Sequence, residues 1–470
     1  MTDPNLNPAR YNLTYVWLIC LVAAMGGLLF GYDWVVVGGA KTFYEPYFGL
    51  DTPSLQGWGT SSALVGCLVG AMVSGMLSDR FGRKRLLLSA GFLFTLSAVG
   101  TGLAWDFTSY TVFRIIGGVG IGLASNLSPM YIAEISPARL RGRFVSVNQL
   151  TIVIGVLLAM TVNWLISLHD RGLPDNATTG MILESWNGQY GWRWMFGAEA
   201  VPALAFFLLM FLVPESPRWL MKNGRDKEAE EVLARVGGEA YALAEVSDIR
   251  TTLAAQEIAH VNFRDLLEPR LVKIILIGVA LAVFQQWCGI NVIYYYAADI
   301  FKAAGYDVKA TMLNIVITGL VSLIFTFVAI GTVDRIGRRA LMLIGAAGLA
   351  GTYGLIGLAF HLEKTGVLVV VLTVTAIAFY SFSLAPVVWV LLSEIFPNRI
   401  RGAAMSIAVF SLWVGCFTLS YSFPGLNKGL GPAVTFWLYG LICVAGFLFV
   451  LTMVPETKGK SLETIERELL

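Results

Sequence analysis

Runs of about twenty largely apolar residues, the length a helix needs to cross a hydrocarbon core, recur along this whole chain. They fall near residues 15–40, 58–79, 86–104, 109–134, 143–168 and 194–213, and again near 271–299, 312–333, 339–360, 366–394, 402–424 and 432–454. Only 14% of the 470 residues are charged, against about 25% in an ordinary soluble domain. A soluble fold this apolar could not cover its own surface. The pattern predicts an all-α polytopic membrane protein with twelve spans in two pseudo-symmetric six-helix bundles. The expected division is an N-terminal bundle over 1–214, a charged helical linker over 215–270, and a C-terminal bundle with a short tail over 271–470.

Charge placement orients the chain. Arg80, Arg83, Lys84 and Arg85 follow the second span, and Arg139, Arg141 and Arg143 the fourth. Arg335, Arg338 and Arg339 follow the eighth, and Arg399 and Arg401 the tenth. The turn "AWDFTSY" after the third span has no basic residue. By the positive-inside rule the basic loops, the linker and both termini are expected in the cytoplasm, with the 169–192 loop outside. Its Asn176-Ala177-Thr178 sequon reads as chance. The first fifteen residues lack the basic start and cleavage site of a signal peptide.

The halves also resemble each other. "DRFGRKR" at 79–85 returns as "DRIGRRA" at 334–340, "AEISPARLRG" at 133–142 as "SEIFPNRIRG" at 393–402, and "VPESP" at 213–217 as "VPETK" at 454–458. Three motifs repeated in one order point to a duplicated six-helix unit.

Enzyme chemistry finds no footing in this pattern. Cys20, Cys67, Cys288, Cys416 and Cys443 all fall inside predicted spans, odd in number and without metal spacing, so they read as small apolar fillers. His169, His260 and His361 are scattered near loops. No metal site, cofactor or nucleic-acid surface is expected.

Three charges lie alone inside spans. Asp33 is the only one between Arg10 and Lys41, Arg114 between Asp106 and Glu134, and Glu199 between Arg193 and Glu215. An ionised Asp at the bilayer centre costs at least ~2.5 kcal/mol. At ~1.5 Å per residue, Asp33 and Arg114 sit about 27 and 30 Å from the basic-loop side on antiparallel helices. They reach a similar level, so an ion pair between them is feasible. It reads either as a device that breaks and re-forms or as a permanent clamp. Glu199 reads as a relay or as a buried hydrogen-bonding acid.

"GYD", "GMLSDRFGRKR", "FRIIGG…PMYIAEI…RG", "PESPRWL", "QQWCGINVIYYY", "DRIGRR", "SEIFPNRIRG" and "PETKG" appear in that order. With this set the chain resembles the sugar porters of the major facilitator superfamily, both the bacterial proton-coupled pentose and hexose symporters and the facilitative glucose transporters. The resemblance implies a monosaccharide site between the bundles near the midplane, alternating access by rocking of the bundles, and no enzymatic activity. It implies a proton-coupling role for Asp33 with Arg114 and Glu199, the proton being the coupling ion. Facilitative relatives generally carry a neutral residue at the first of these positions. Passive sugar uniport and proton symport of a cyclitol or polyol are the alternatives. A bacterial inner membrane and a monomer in lipid are the expected setting.

A sugar offers hydroxyls that both donate and accept, and an apolar C–H face. Amides suit the hydroxyls; aromatic faces with polar tips suit the rest. Gln285, Gln286, Asn291 and Tyr295 in span seven fit that chemistry and match the family's sugar contacts. On an ideal helix Gln285 and Gln286 point away from Asn291, so they converge only if the helix is distorted near Gly289. Gln149, Trp389 and Trp413 match further sugar-lining positions, and Phe30 and Tyr294 read as walls, gates or packing. Three positions depart from the xylose-type pattern: Ser322 stands for an amide, Leu412 for Gln or Asn, and Ala385 for Gly before Pro386. A sugar hydroxyl facing Leu412 would lose its partner, at ~1–3 kcal/mol.

Asp79, Arg83, Glu134, Arg141 and Glu215 repeat as Asp334, Arg338, Glu394, Arg401 and Glu456. The resemblance implies a cytoplasmic network of ion pairs that braces the outward-facing state and opens during transport. The alternative is charge that sets topology without gating.

Overall fold

A computed structural model describes residues 11–170, 174, 177–258, 268–397, 400–458 and 460, except for the side chains of 254–258 and of Asp334. Asn176, Arg399, His260 and both chain termini lie outside the described residues, as does the side chain of Asp334.

Among the described residues eleven helical stretches are long and apolar enough to cross a membrane. The first six are Leu13–Phe48, Pro53–Phe81, Arg83–Gly102, Phe107–Ile135, Arg141–Ser167 and Asn187–Leu212. The seventh to tenth are Pro269–Tyr295, Val308–Ile336, Arg338–His361 and Val367–Ile395. The last, Arg401–Met453, contains two spans. Gly431 interrupts it with φ 77° and ψ 164°. A residue before proline is pushed out of the α region, and only glycine takes this positive φ without strain, so Gly431-Pro432 makes the corner. The sequence suggests a loop at 425–431; the helix instead runs up to Gly431.

Caps explain several other ends. Asp106 accepts from the Ser109 backbone at 2.7 Å, and the Ser109 hydroxyl accepts in return from the Asp106 N–H at 3.2 Å, closing a capping box. Thr52 caps the second span ahead of Pro53, and Asp307 caps the eighth. The linker forms Pro217–Lys222, Asp226–Gly237 and Glu239–Ile258. Its middle helix buries Val232, Leu233 and Val236, and the Val236 carbonyl accepts from the Asn12 N–H at 2.8 Å. Span one is thereby docked on the linker.

Within the first bundle, small residues permit close backbone approach, the packing that membrane helices favour. A Cβ on Gly31 would stand 1.9 Å from the Ile152 carbonyl oxygen, and one on Gly155 2.0 Å from that of Leu28. Apolar side chains such as Leu165, Val201, Leu208, Leu276 and Leu441 are exposed, which suits a lipid-facing wall.

The bundles meet at the end away from the basic loops. Lys41 of span one pairs with Asp299 at 2.7 Å. A Cβ on Gly38 would meet the Tyr294 carbonyl oxygen at 2.2 Å, and one on Gly57 that of Tyr421 at 2.4 Å. Trp58 lies edge-on to Phe417, and Gly319 lies against Met160 and Leu157. This end of the molecule is closed.

A candidate sugar and proton site between the bundles

Asp33 and Arg114 are 0% and 2% exposed and form an ion pair through Arg114 Nη1 and Asp33 Oδ1. Arg114 Nη2 also donates to the Asp33 carbonyl oxygen at 3.2 Å, and the guanidinium lies 5.2 Å from the Phe196 ring centre. The depth match read from the sequence thus corresponds to a contact. The second carboxylate oxygen, Asp33 Oδ2, has no hydrogen-bond partner among the described residues. It points at Gly117, where a Cβ would stand 2.7 Å away. Glu199 is 2% exposed, within electrostatic reach of both Asp33 and Arg114, and its Oε1 is also unpartnered among the described residues. Two acids around one arginine form a triad with a single compensating charge.

The seventh span is broken at Gly289, the distortion on which convergence of its amides depended. The helix stops at Trp287 and resumes at Ile290, with Gly289 at φ 86°. A Cβ there would also press the Tyr439 ring at 3.0 Å. The break turns Asn291 back onto the amides: its Nδ2 donates to Gln286 Oε1 at 2.6 Å and to Cys416 Sγ at 3.3 Å. Gln286 Nε2 donates to Gln285 Oε1 at 3.3 Å, and Gln285 Nε2 reaches the Leu384 and Ala385 carbonyls at 3.1 and 3.2 Å. Ala385 enters the site through its backbone.

Aromatic rings from both bundles surround this chain of amides. Phe30 stands 6.0 Å from Trp413 and 6.2 Å from Trp34, and Trp34 stands 5.5 and 5.8 Å from Tyr294 and Tyr295. Asn291 Oδ1, Trp413 Nε1 and Trp34 Nε1 are buried without hydrogen-bond partners among the described residues. A buried polar atom left unmade costs ~1–3 kcal/mol, so one acceptor and two donors here fit a polyhydroxylated guest. Gln149 and Trp389 are half-buried. Leu412 is buried as an apolar wall.

Ser322 is held more firmly than its small side chain suggests. Tyr294 Oη donates to Ser322 Oγ at 3.1 Å, and Ser322 Oγ shares a 3.0 Å bond with Ser381 Oγ. Sequence reasoning missed Trp34, Ser381 and Cys416. For Trp34 a signal existed: it follows Asp33 directly and lies one helical turn beyond Phe30.

At the basic-loop end each bundle has its own cluster. Arg83 makes a two-pronged contact with Glu134, both bonds at 3.0 Å, and a third with Asp79 at 3.3 Å. Ser216 Oγ also donates to Glu134. Glu215 accepts the backbone N–H groups of Arg83, Lys84 and Ser216 at 3.0, 3.1 and 2.8 Å. The second half repeats this. Arg338 pairs with Glu394 at 3.2 Å, and Glu456 accepts the Arg338 and Arg339 N–H groups at 3.0 and 3.1 Å. Glu215 and Glu456 thus close the starts of the third and ninth spans, where N–H groups have no intrahelical partner. Arg401 donates to the Phe396 carbonyl at 3.2 Å, and Arg141 is exposed. Burial raises the Glu215 carboxyl above its ordinary range despite its backbone donors. Burial also acts to raise Glu456, but the N–H groups of Lys458, Arg338 and Arg339 outweigh it and hold that carboxyl low.

Two membrane-embedded helical bundles, closed at one end around buried polar groups, define a polytopic transporter. The profile of the sugar (and other) transporter family matches residues 19–469. The chain is 41% identical to the D-xylose-proton symporter of Escherichia coli, over 97% of its own length and 96% of that protein's. It is 38% identical to the arabinose-proton symporter of Bacillus subtilis, over 99% and 97%. The partially occluded inward open structure of the E. coli xylose transporter XylE superposes with a TM-score of 0.83 at 38% identity, covering 95% of this chain and all of that one. The chain belongs to the sugar transporter family. It is an integral membrane transporter of the major facilitator fold, not an enzyme.

Proposed function

We propose that this protein imports a monosaccharide together with a proton by alternating access, with Asp33 as the proton acceptor. The observation that carries the reading is the buried triad of Asp33, Arg114 and Glu199 beside an amide and aromatic cluster that spans both bundles. Next to Arg114 the Asp33 carboxylate has its counterion. If a rearrangement within the first bundle, set off when the bundles move, draws the two apart, a buried carboxylate is left without its counterion and proton uptake neutralises it. Rocking of 1–214 against 271–470 would then couple proton uptake on one side to sugar entry, with 215–270 as a cap over the cytoplasmic ends. The basic loops support a cytoplasmic assignment for that side and both termini, and the bacterial relatives support an inner membrane. One chain carries both faces of the site, so a monomer suffices. The clusters around Glu134 and Glu394 would act on the cytoplasmic side, each tightening its own bundle.

Proteoliposomes test this with a panel of pentoses, hexoses and polyols, with and without an inward proton gradient. A monosaccharide should accumulate only with the gradient. Asp33→Asn should abolish accumulation while leaving sugar counterflow, which needs no net proton movement. Accumulation by that variant at the wild-type level overturns the coupling. A substrate that equilibrates but never accumulates in the wild type makes the protein a uniporter.

A further inference from the structure

Tyr294 touches both bundles. Its backbone meets span one at Gly38, its ring lies 5.5 Å from Trp34 of the same span, and its hydroxyl donates to Ser322, which in turn bonds Ser381. It is one helical turn beyond Asn291, whose Oδ1 is buried and unpartnered among the described residues. The phenol therefore crosses from the seventh span to the eighth and tenth at the level of the sugar-facing amides. A serine at 322 leaves room for the phenol oxygen, where a longer amide would reach into the same space.

A phenol oxygen has one proton and acceptor lone pairs. With its proton committed to Ser322 Oγ, Tyr294 Oη can only accept from a guest. An amide at 322 would present a donor and an acceptor together. We infer that Tyr294, oriented by Ser322 and Ser381, is a specificity-determining contact that requires a donating hydroxyl on the sugar at one ring position. The inference rests on the monosaccharide reading above and deepens it. Ser322 and Ser381 are positioning residues: they fix which way the Tyr294 proton points.

Fluorinated sugars separate donation from acceptance, because a C–F group accepts weakly and donates nothing. The test uses the purified wild-type protein with the transported sugar and its monodeoxy and monofluoro analogues, read as inhibition of counterflow. At one ring position both analogues should bind about 10-fold more weakly than the parent, the worth of one hydrogen bond. Tyr294→Phe should weaken the parent by a similar factor and remove the distinction at that position alone. Ser322→Ala frees the phenol proton, so the fluoro analogue should recover relative to the deoxy analogue. A merely structural role would not produce that reordering. An unchanged analogue profile in Tyr294→Phe overturns the inference. If Tyr294→Phe does not fold, the Ser322→Ala profile decides alone, and an unshifted fluoro-to-deoxy ratio overturns it. A wild type that binds no sugar in the panel instead overturns the monosaccharide reading.

Discussion

At the scale of single residues, Arg114 has the most exacting position. Its guanidinium contacts the Asp33 carboxylate and the Asp33 carbonyl together while lying over Phe196. Lysine offers a compact point charge without that fork. Arg114→Lys should fold, yet slow gradient-driven uptake by about 10-fold, equivalent to ~1.4 kcal/mol of lost stabilisation. Arg114→Leu leaves a buried carboxylate without its counterion, a defect worth ~3–5 kcal/mol. Adding Asp33→Asn to that variant should recover most of the loss, because the uncompensated charge goes with it. Thermal unfolding of the single and double variants in detergent checks this. Strictly additive losses would show that the two side chains stabilise the bundle independently.

At the scale of elements, the two halves use one device in different environments. Glu215 and Glu456 each close the start of a helix, but burial lifts the first carboxyl while backbone donors hold the second low. For Glu215 the folded state binds the proton more tightly than the unfolded chain. Its contribution therefore falls as pH rises from the ordinary Glu range through the raised value. For Glu456 the sign reverses: its contribution is present above the ordinary Glu range and is lost as pH falls through the lowered value. At pH 7, Glu456→Gln should lower the unfolding temperature, whereas Glu215→Gln should leave it unchanged or raise it. The difference should narrow as the solution is acidified below the ordinary Glu range. Equal losses at pH 7 would mean that the caps are energetically equivalent. The repeat itself was legible in sequence because short charged motifs at helix ends need no partner to be recognised. The break at Gly289 was legible only through the family resemblance, which brings to one site amides at 285, 286 and 291 that cannot share a face of a straight helix. The Tyr294–Ser322 bond was not, because residues on different spans meet with no periodicity to mark them. Ser322 looked like a lost contact when read alone; beside Tyr294 it is an exchange of one hydrogen-bonding group for another.

At the scale of the whole molecule, closure at one end rests on contacts that must separate for the opposite opening. The sequence places Lys41 and Asp299 258 positions apart, and nothing local links them. In the fold Lys41 is 3% exposed and lies between Glu45 of its own helix at 3.0 Å and Asp299 of the other bundle at 2.7 Å, with the Tyr296 ring 4.7 Å away. Opening that end would leave Lys41 with Glu45 and part it from Asp299. Asp299→Asn therefore weakens the closed arrangement while sparing the internal pair. Asp299 is partly exposed, so the pair is worth about 1 kcal/mol or less after screening. That corresponds to a shift of up to about 5-fold in the population open to the outside. Spin-label distances between the outer ends of spans one and seven should broaden toward the longer, separated state. The apparent affinity for external sugar should rise in proportion to the newly competent fraction. Lys41→Met combined with Asp299→Asn should shift the distances no further than the larger of the two single changes does, since one contact cannot be lost twice. Distances that do not move in Asp299→Asn would place the latch elsewhere, in the backbone contacts at Gly38 and Gly57 that no charge controls.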